Sequence, residues 1–179
     1  MADVVIVVDM LRGFLEPGYA LYCGEEARRI VPHVLRLLEK ESARGSAIIY
    51  VADNHAPDDA EFRMFPPHCI AGSTESEIIG ELRAYPGNLI TKQRYSGFFN
   101  TALAEELSEL DPGKVIICGV CTDICVLHTA ADARNRDYHV EVPADCVASF
   151  NAEAHDWALK HMHDILGVEI TAGEGNSDE

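Results

Sequence analysis

Short apolar runs recur along the chain, and between them lie stretches whose apolar residues return every three to four positions. The first run, "DVVIVVD" at 3–9, is almost continuously β-branched, as a strand buried on both faces of a parallel sheet would be. Residues 25–43 set Ile30, Val31, Val34, Leu37 and Leu38 at helical spacing. "SAIIYVAD" (46–53) predicts a second strand, "ESEIIGELRAY" (75–85) a short helix and "NLITKQ" (88–93) a third strand. "NTALAEELSEL" (100–110) predicts a helix with Asn100 as its N-cap, and "KVIICGV" (114–120) a fourth strand. A helix over 122–135, a strand over 137–143, a helix over 151–163 and an edge strand over 167–170 complete the pattern.

Strands alternating with helices imply one α/β domain, a doubly wound, mainly parallel sheet of about six strands with helices on both faces. We expect that domain to occupy 1–171 and the acidic residues 172–179 to form a disordered tail. Ligands of such sheets sit beyond the carboxyl ends of the strands. The strand ends here carry Asp9, then Asp53 and His55, then Lys92, then Cys121 to Cys125. The segment 54–74 is long for a connection in a compact α/β unit and points to a functional loop.

Composition narrows the partners. A net charge of −16 over 179 residues opposes binding to nucleic acid or anionic membrane. No apolar stretch approaches the roughly 20 residues that span a bilayer. "MADVVIVVDML" lacks a basic leader region and its apolar run is broken by Asp9, so the expected compartment is the cytoplasm. There the six cysteines are expected to be free thiols, and Cys121 and Cys125, spaced C-x-x-x-C, do not match a zinc-ribbon or thioredoxin pair.

Candidate chemistry gathers in two places. Cys125 falls at a strand-to-helix turn, where backbone N–H groups and the helix dipole favour a thiolate; an inert buried cysteine is the plainer reading. With Asp9 and Lys92 at the same sheet edge, the three could form a nucleophile, a base and a cation. Taken singly, Asp9 reads equally as a loop anchor and Lys92 as a surface lysine. In "DNHAPDDAEFRMFPPHC" (53–69), Asp53, His55, Glu61 and His68 make a plausible site for Zn²⁺, Mn²⁺ or Fe²⁺, against the alternative of a solvated polar loop.

Four segments together resemble the isochorismatase-like cysteine hydrolases, and within them the nicotinamidases (pyrazinamidases). They are "IVVDMLRGF", "DNH…AEFRMFPPHCIAGSTESEI", "TKQRYSGFFNTAL" and "GVCTDICVLHTAADA". The resemblance runs from about Val4 to Ile170. It implies that Asp9 is the general base, Lys92 the charge-stabilising lysine and Cys125 the nucleophile. It implies a cis peptide between Val120 and Cys121, with the backbone amides of Cys121 and Cys125 forming an oxyanion hole, so that Cys121 contributes its backbone and not its sulfur. Asp53, His55 and His68 match metal ligands of the family. Relatives often have a second histidine soon after the DxH pair, which "HAPDDAEF" lacks; Glu61 matches instead a glutamate ligand of a subgroup whose loop also reads "FPPH". Phe14, Phe65 and Tyr95 match aromatic residues around the substrate ring, although Trp often stands where Phe65 does.

The resemblance thus implies a cytoplasmic, metal-containing amidohydrolase of pyridine-nucleotide salvage. It would convert nicotinamide to nicotinate and ammonia through a thioester, with one divalent ion and no organic cofactor. The expected partners are a small amide and further copies of the chain in a homo-oligomer, with no nucleic acid and no membrane. Two rivals are a related hydrolase of another small amide or imide, and a non-catalytic binding protein of the same fold.

Overall fold

The β-branched run at the N-terminus forms strand β1 (Val4–Val8), and every one of its residues is buried. Val5 and Val7 enter one hydrophobic cluster, and Val4, Ile6 and Val8 the other, on the opposite face of the sheet. The computed structural model describes residues 2–172; the expected disordered tail lies, apart from Ala172, outside the described residues. Strands β2 (Ala47–Asp53), β3 (Asn88–Lys92), β4 (Val115–Val120), β5 (Val140–Pro143), β6 (Val147–Ala148) and β7 (Glu169–Thr171) follow. All pairs are parallel, in the order β3-β2-β1-β4-β5-β7, with β6 also paired to β4. Among the described residues the strands number seven, where the sequence led us to expect about six. The additional strand is the two-residue β6: β5 pairs Val115 and Ile116, and β6 takes over at Gly119 and Val120.

Helices α1 (Arg12–Leu15), α2 (Glu25–Arg28) and α3 (Val31–Ala43) precede β2, and α4 (Leu103–Leu110), α5 (Leu127–Arg134) and α6 (Ala152–Asp164) follow β3. Val31, Val34 and Leu38 of α3 pack on the Val5/Val7 face. Leu103 and Leu107 of α4, Ala130 and Ala133 of α5 and Met162 of α6 pack on the other. Among the described residues no helix is long and apolar enough to cross a membrane.

Several boundaries differ from expectation. The helix read over 25–43 is divided between α2 and α3 at Arg29 and Ile30. The helix read over 75–85 is two 3₁₀ turns, Thr74–Ser76 and Gly80–Ala84. Between them Ile78 is held extended by an antiparallel bridge to Leu11, so a tertiary contact overrides the local pattern. Asn100 is not an N-cap: its φ is +53°, and the helix begins later, with the Thr101 hydroxyl accepting the Leu103 N–H at 3.2 Å.

Gly119 in β4 is a position where only glycine fits. Its φ is +113°, and a Cβ there would lie 2.0 Å from the Val8 carbonyl oxygen. Gly119→Ala is expected to cost about 3 kcal/mol through backbone displacement between two buried strands. Urea unfolding monitored by circular dichroism checks this; an unchanged midpoint would show that the contact relaxes freely.

Candidate active site

Strand order reverses between β1 and β4, since β2 and β3 extend the sheet to one side of β1 and β4, β5 and β7 to the other. The crevice at such a switch point, beyond the carboxyl ends of the strands, is where α/β sheets hold ligands. Register delivers the candidate groups there together. Val8 pairs with Val51 on one side and Gly119 on the other, while Asp53 pairs with Lys92. Asp9, Asp53, Lys92 and Cys121 therefore emerge at one edge.

Asp9 leaves β1 with φ +49°, which turns the chain sharply after the strand. Its Oδ1 accepts the Asp53 N–H at 2.8 Å, and its Oδ2 lies 2.8 Å from Lys92 Nζ. The ammonium, only 2% exposed, donates also to Asp53 Oδ1 at 2.5 Å and to Cys125 Sγ at 3.4 Å. Cys125 occupies a wide π-type turn, Thr122–Val126, that connects β4 to α5. The Val120–Cys121 bond that precedes this turn is cis, as the resemblance implies.

Burial and charge set the protonation states. Burial and the neighbouring Asp53 push the Asp9 carboxyl up to about 6, against the pull of Lys92. Burial also pushes Asp53 up, but Lys92 and the nearby imidazoles of His55 and His68 outweigh it and hold the carboxyl well below the usual range. Burial lowers the Lys92 ammonium, and Asp53, Asp9 and Cys125 more than reverse that, so it stays charged. Burial raises the Cys125 thiol, Lys92 lowers it, and the two carboxylates raise it again; the net direction is up. The resting group is a thiol beside a carboxylate able to take its proton, rather than a preformed thiolate.

Asp53 faces a second cluster with its other oxygen. Oδ2 lies 3.6 Å from His55 Nε2 and 3.8 Å from His68 Nε2, and His68 Nε2 lies 3.8 Å from Glu61 Oε1. The loop that carries these residues is stitched to itself by a bridge between His55 and Ile70. Each imidazole is oriented through Nδ1, His55 by Asp59 at 3.0 Å and His68 by the Pro66 carbonyl at 2.9 Å. Both Nε2 atoms are left to face Asp53, and His55 Nε2 is buried without a hydrogen-bond partner.

This donor set suits a divalent ion. Asp53, His55 and His68 present one carboxylate oxygen and two imidazole nitrogens within 4.8 Å of one another. Bonds of about 2.1 Å to a tetrahedral ion would place donors roughly 3.4 Å apart. Nδ1 fixed by a carboxylate or a backbone carbonyl is the usual arrangement behind a metal-bound histidine. Burial lowers His55, but Asp53 and Asp59 hold it up at about 9.

A cavity opens between the two clusters. Phe14, Phe65 and Tyr95 line it, together with Asp9, Asp53, Glu61, His68, Cys121 and Cys125. The structure also brings in residues that sequence reasoning missed. Leu21, Ile124 and Phe150 form part of the wall. Asp59, buried behind His55, is held at 2.9 Å by Arg94. Its position four residues after His55 was a local hint, whereas the three wall residues left no sequence signal.

An isochorismatase domain model matches residues 3–174 of the chain. A nicotinamidase from Bacillus subtilis has a structure similar to this one, with a TM-score of 0.89 at 36% identity, covering 96% of this chain and 99% of that one. The pyrazinamidase of Pyrococcus horikoshii, solved in complex with zinc, gives 0.88 at 32% identity with 96% and 99% covered. N-carbamoylsarcosine amidase from Thermoplasma acidophilum gives 0.86 at 32% identity with 97% and 98% covered.

Proposed function

The chain belongs to the isochorismatase-like hydrolase family, and within that family we propose that it is a metal-containing cysteine amidohydrolase that converts nicotinamide to nicotinate and ammonia. The observation that carries this reading is the pairing of a Cys125–Asp9–Lys92 cluster with an imidazole–carboxylate cluster across one aromatic-lined cavity. Charge favours a neutral substrate. The cavity is lined by the carboxylates of Asp9, Asp53 and Glu61 and by no arginine or lysine, and the adjoining Lys92 is already engaged. An anionic substrate would meet those carboxylates with no unengaged lysine or arginine in the lining to receive it.

In the proposed reaction Asp9 takes the Cys125 thiol proton as sulfur attacks the carboxamide carbon. Lys92 balances the charge passing between sulfur and carboxylate. The backbone amides of Cys121 and Cys125 hold the oxyanion. Asp9 returns the proton to the departing ammonia, and water then cleaves the thioester to nicotinate. Phe14, Phe65 and Tyr95 enclose the ring and exclude bulk water. Asp53, His55, His68 and Glu61 would hold the divalent ion, which supplies a Lewis-acid anchor for the pyridine nitrogen.

Ammonia release from nicotinamide by the purified protein tests the reading. His68→Ala is expected to raise KM for nicotinamide about tenfold or more with a smaller change in kcat, because the lost contact is common to ground and transition states. Full stoichiometric metal in His55→Ala/His68→Ala would show that the loop is not the metal site. The similarity to N-carbamoylsarcosine amidase favours a second reading, another small amide. Turnover of such an amide that survives chelation, with none of nicotinamide, would select it.

A further inference from the structure

Cys23 and Cys121 are 98 positions apart in the chain, yet their sulfurs lie 3.6 Å from each other. Both thiols are buried and free. Cys23 donates to the Leu21 carbonyl at 3.6 Å, which leaves its sulfur to accept from Cys121. The two residues belong to different walls of the cavity region. The Cys23 N–H is bonded at 2.8 Å to the carbonyl of Phe14, while Leu21 and Cys121 line the cavity directly. Cys121 thereby reaches the space a small molecule enters, and Cys23 also borders a separate surface groove.

We propose that Cys23 and Cys121 are a thiol-oxidation site, closed to a disulfide by a hydroperoxide and reopened by a thiol reductant. The Cys121 sulfur attacks one peroxide oxygen, the O–O bond breaks, and the Cys121 proton leaves with the other oxygen as water or an alcohol. The sulfenic acid left on Cys121 is then attacked by the Cys23 sulfur. The S–O bond breaks, the S–S bond forms, and hydroxide leaves as water with the Cys23 proton. The two electrons given up by the sulfurs are those that reduce the peroxide. The sulfurs need to approach by roughly 1.5 Å to reach a disulfide bond length of about 2.05 Å. That movement draws the Leu21–Cys23 segment towards the turn that starts at Cys121. It displaces two cavity walls and the Cys121 amide assigned above to the oxyanion. Formation of the bond is independent of the proposed function; its expected effect on turnover rests on that function.

The test compares the protein with its Cys23→Ser variant after limited hydrogen peroxide, alkylation of the remaining thiols and tryptic mapping without reduction. The expected product joins the peptide 13–28 to the peptide 115–134, with fragmentation placing the bond at Cys121. The oxidised protein is expected to lose about tenfold or more of its turnover, as a misplacement of the order of 1 Å implies, and to regain it in dithiothreitol. Cys23→Ser should keep the basal rate and form no such peptide. A bond mapped to Cys118 or Cys125, or oxidation of Cys125 with no linked peptide at all, would overturn the proposal. A Cys23–Cys121 bond with undiminished turnover would overturn its effect on the site. Absence of nicotinamide hydrolysis in the fully reduced protein would instead sink the proposed function and leave the peptide map standing.

Discussion

Cys125→Ala is expected to lower nicotinamide turnover by a factor of about 10⁴ or more while leaving the fold and the metal content as they are, since removing the proposed nucleophile of a concerted set costs nearly what removing the whole set does. The sulfur lies 3.4 Å from Lys92 Nζ and within 4.8 Å of an Asp9 oxygen, and its buried side chain takes up little volume. Truncation to a methyl group therefore removes chemistry without opening a large cavity. Cys121→Ala, by contrast, keeps the backbone amide assigned to the oxyanion and is expected to retain most of the activity. Initial rates of ammonia release together with far-ultraviolet circular dichroism and metal content check both. A dead Cys121→Ala beside an active Cys125→Ala would exchange the two assignments.

Lys92→Met is the variant expected to lose both stability and reactivity. The ammonium is buried between Asp9 at 2.8 Å and Asp53 at 2.5 Å. Methionine fills similar space but leaves two buried carboxylates facing each other without a cation. Loss of one partner from such a network costs about 3–5 kcal/mol. For a chain of this size that corresponds to a fall in Tm of about 10 °C. Lys92 also pulls the Cys125 thiol down against burial, so its removal leaves the thiol higher still and slows alkylation by iodoacetamide at neutral pH. Unchanged melting and unchanged alkylation kinetics would remove Lys92 from the proposed machinery.

The parts of this site that were legible in the sequence are those tied to the ends of strands. Val4 to Val8 is apolar without interruption because both faces of β1 are covered, and the first polar residue after it, Asp9, stands at the functional edge for that reason. Cys125 follows the same logic in the turn after the fully buried β4, whereas Lys92 closes an edge strand, β3, that is exposed at three of its five positions. The proposed loop ligands were legible as residue types, and the resemblance then singled out Glu61. What could not be read were positions decided by distant contacts. Ile78 is drawn out of a helical pattern by Leu11, and Asn100 takes a left-handed turn where its composition suggested a cap. Leu21 and Phe150 reach the cavity from loops far apart in the chain, and nothing local to either marks that destination. The nearness of Cys23 to Cys121 is of the same kind: it arises from the meeting of two segments, not from the surroundings of either cysteine along the chain.

Asp53 turns one oxygen to Lys92 and the other to the two imidazoles. His55, Glu61 and His68, the remaining residues of the imidazole cluster, all belong to a single loop outside the sheet. On the proposed reading, exchanging that loop would change the chemical identity of what is recognised while Asp9, Lys92 and Cys125 stay where the strands hold them. In the proposed reaction Asp53 is the joint between the chemistry and the recognition. It is the residue at which a change of diet would be felt by the catalytic machinery as well.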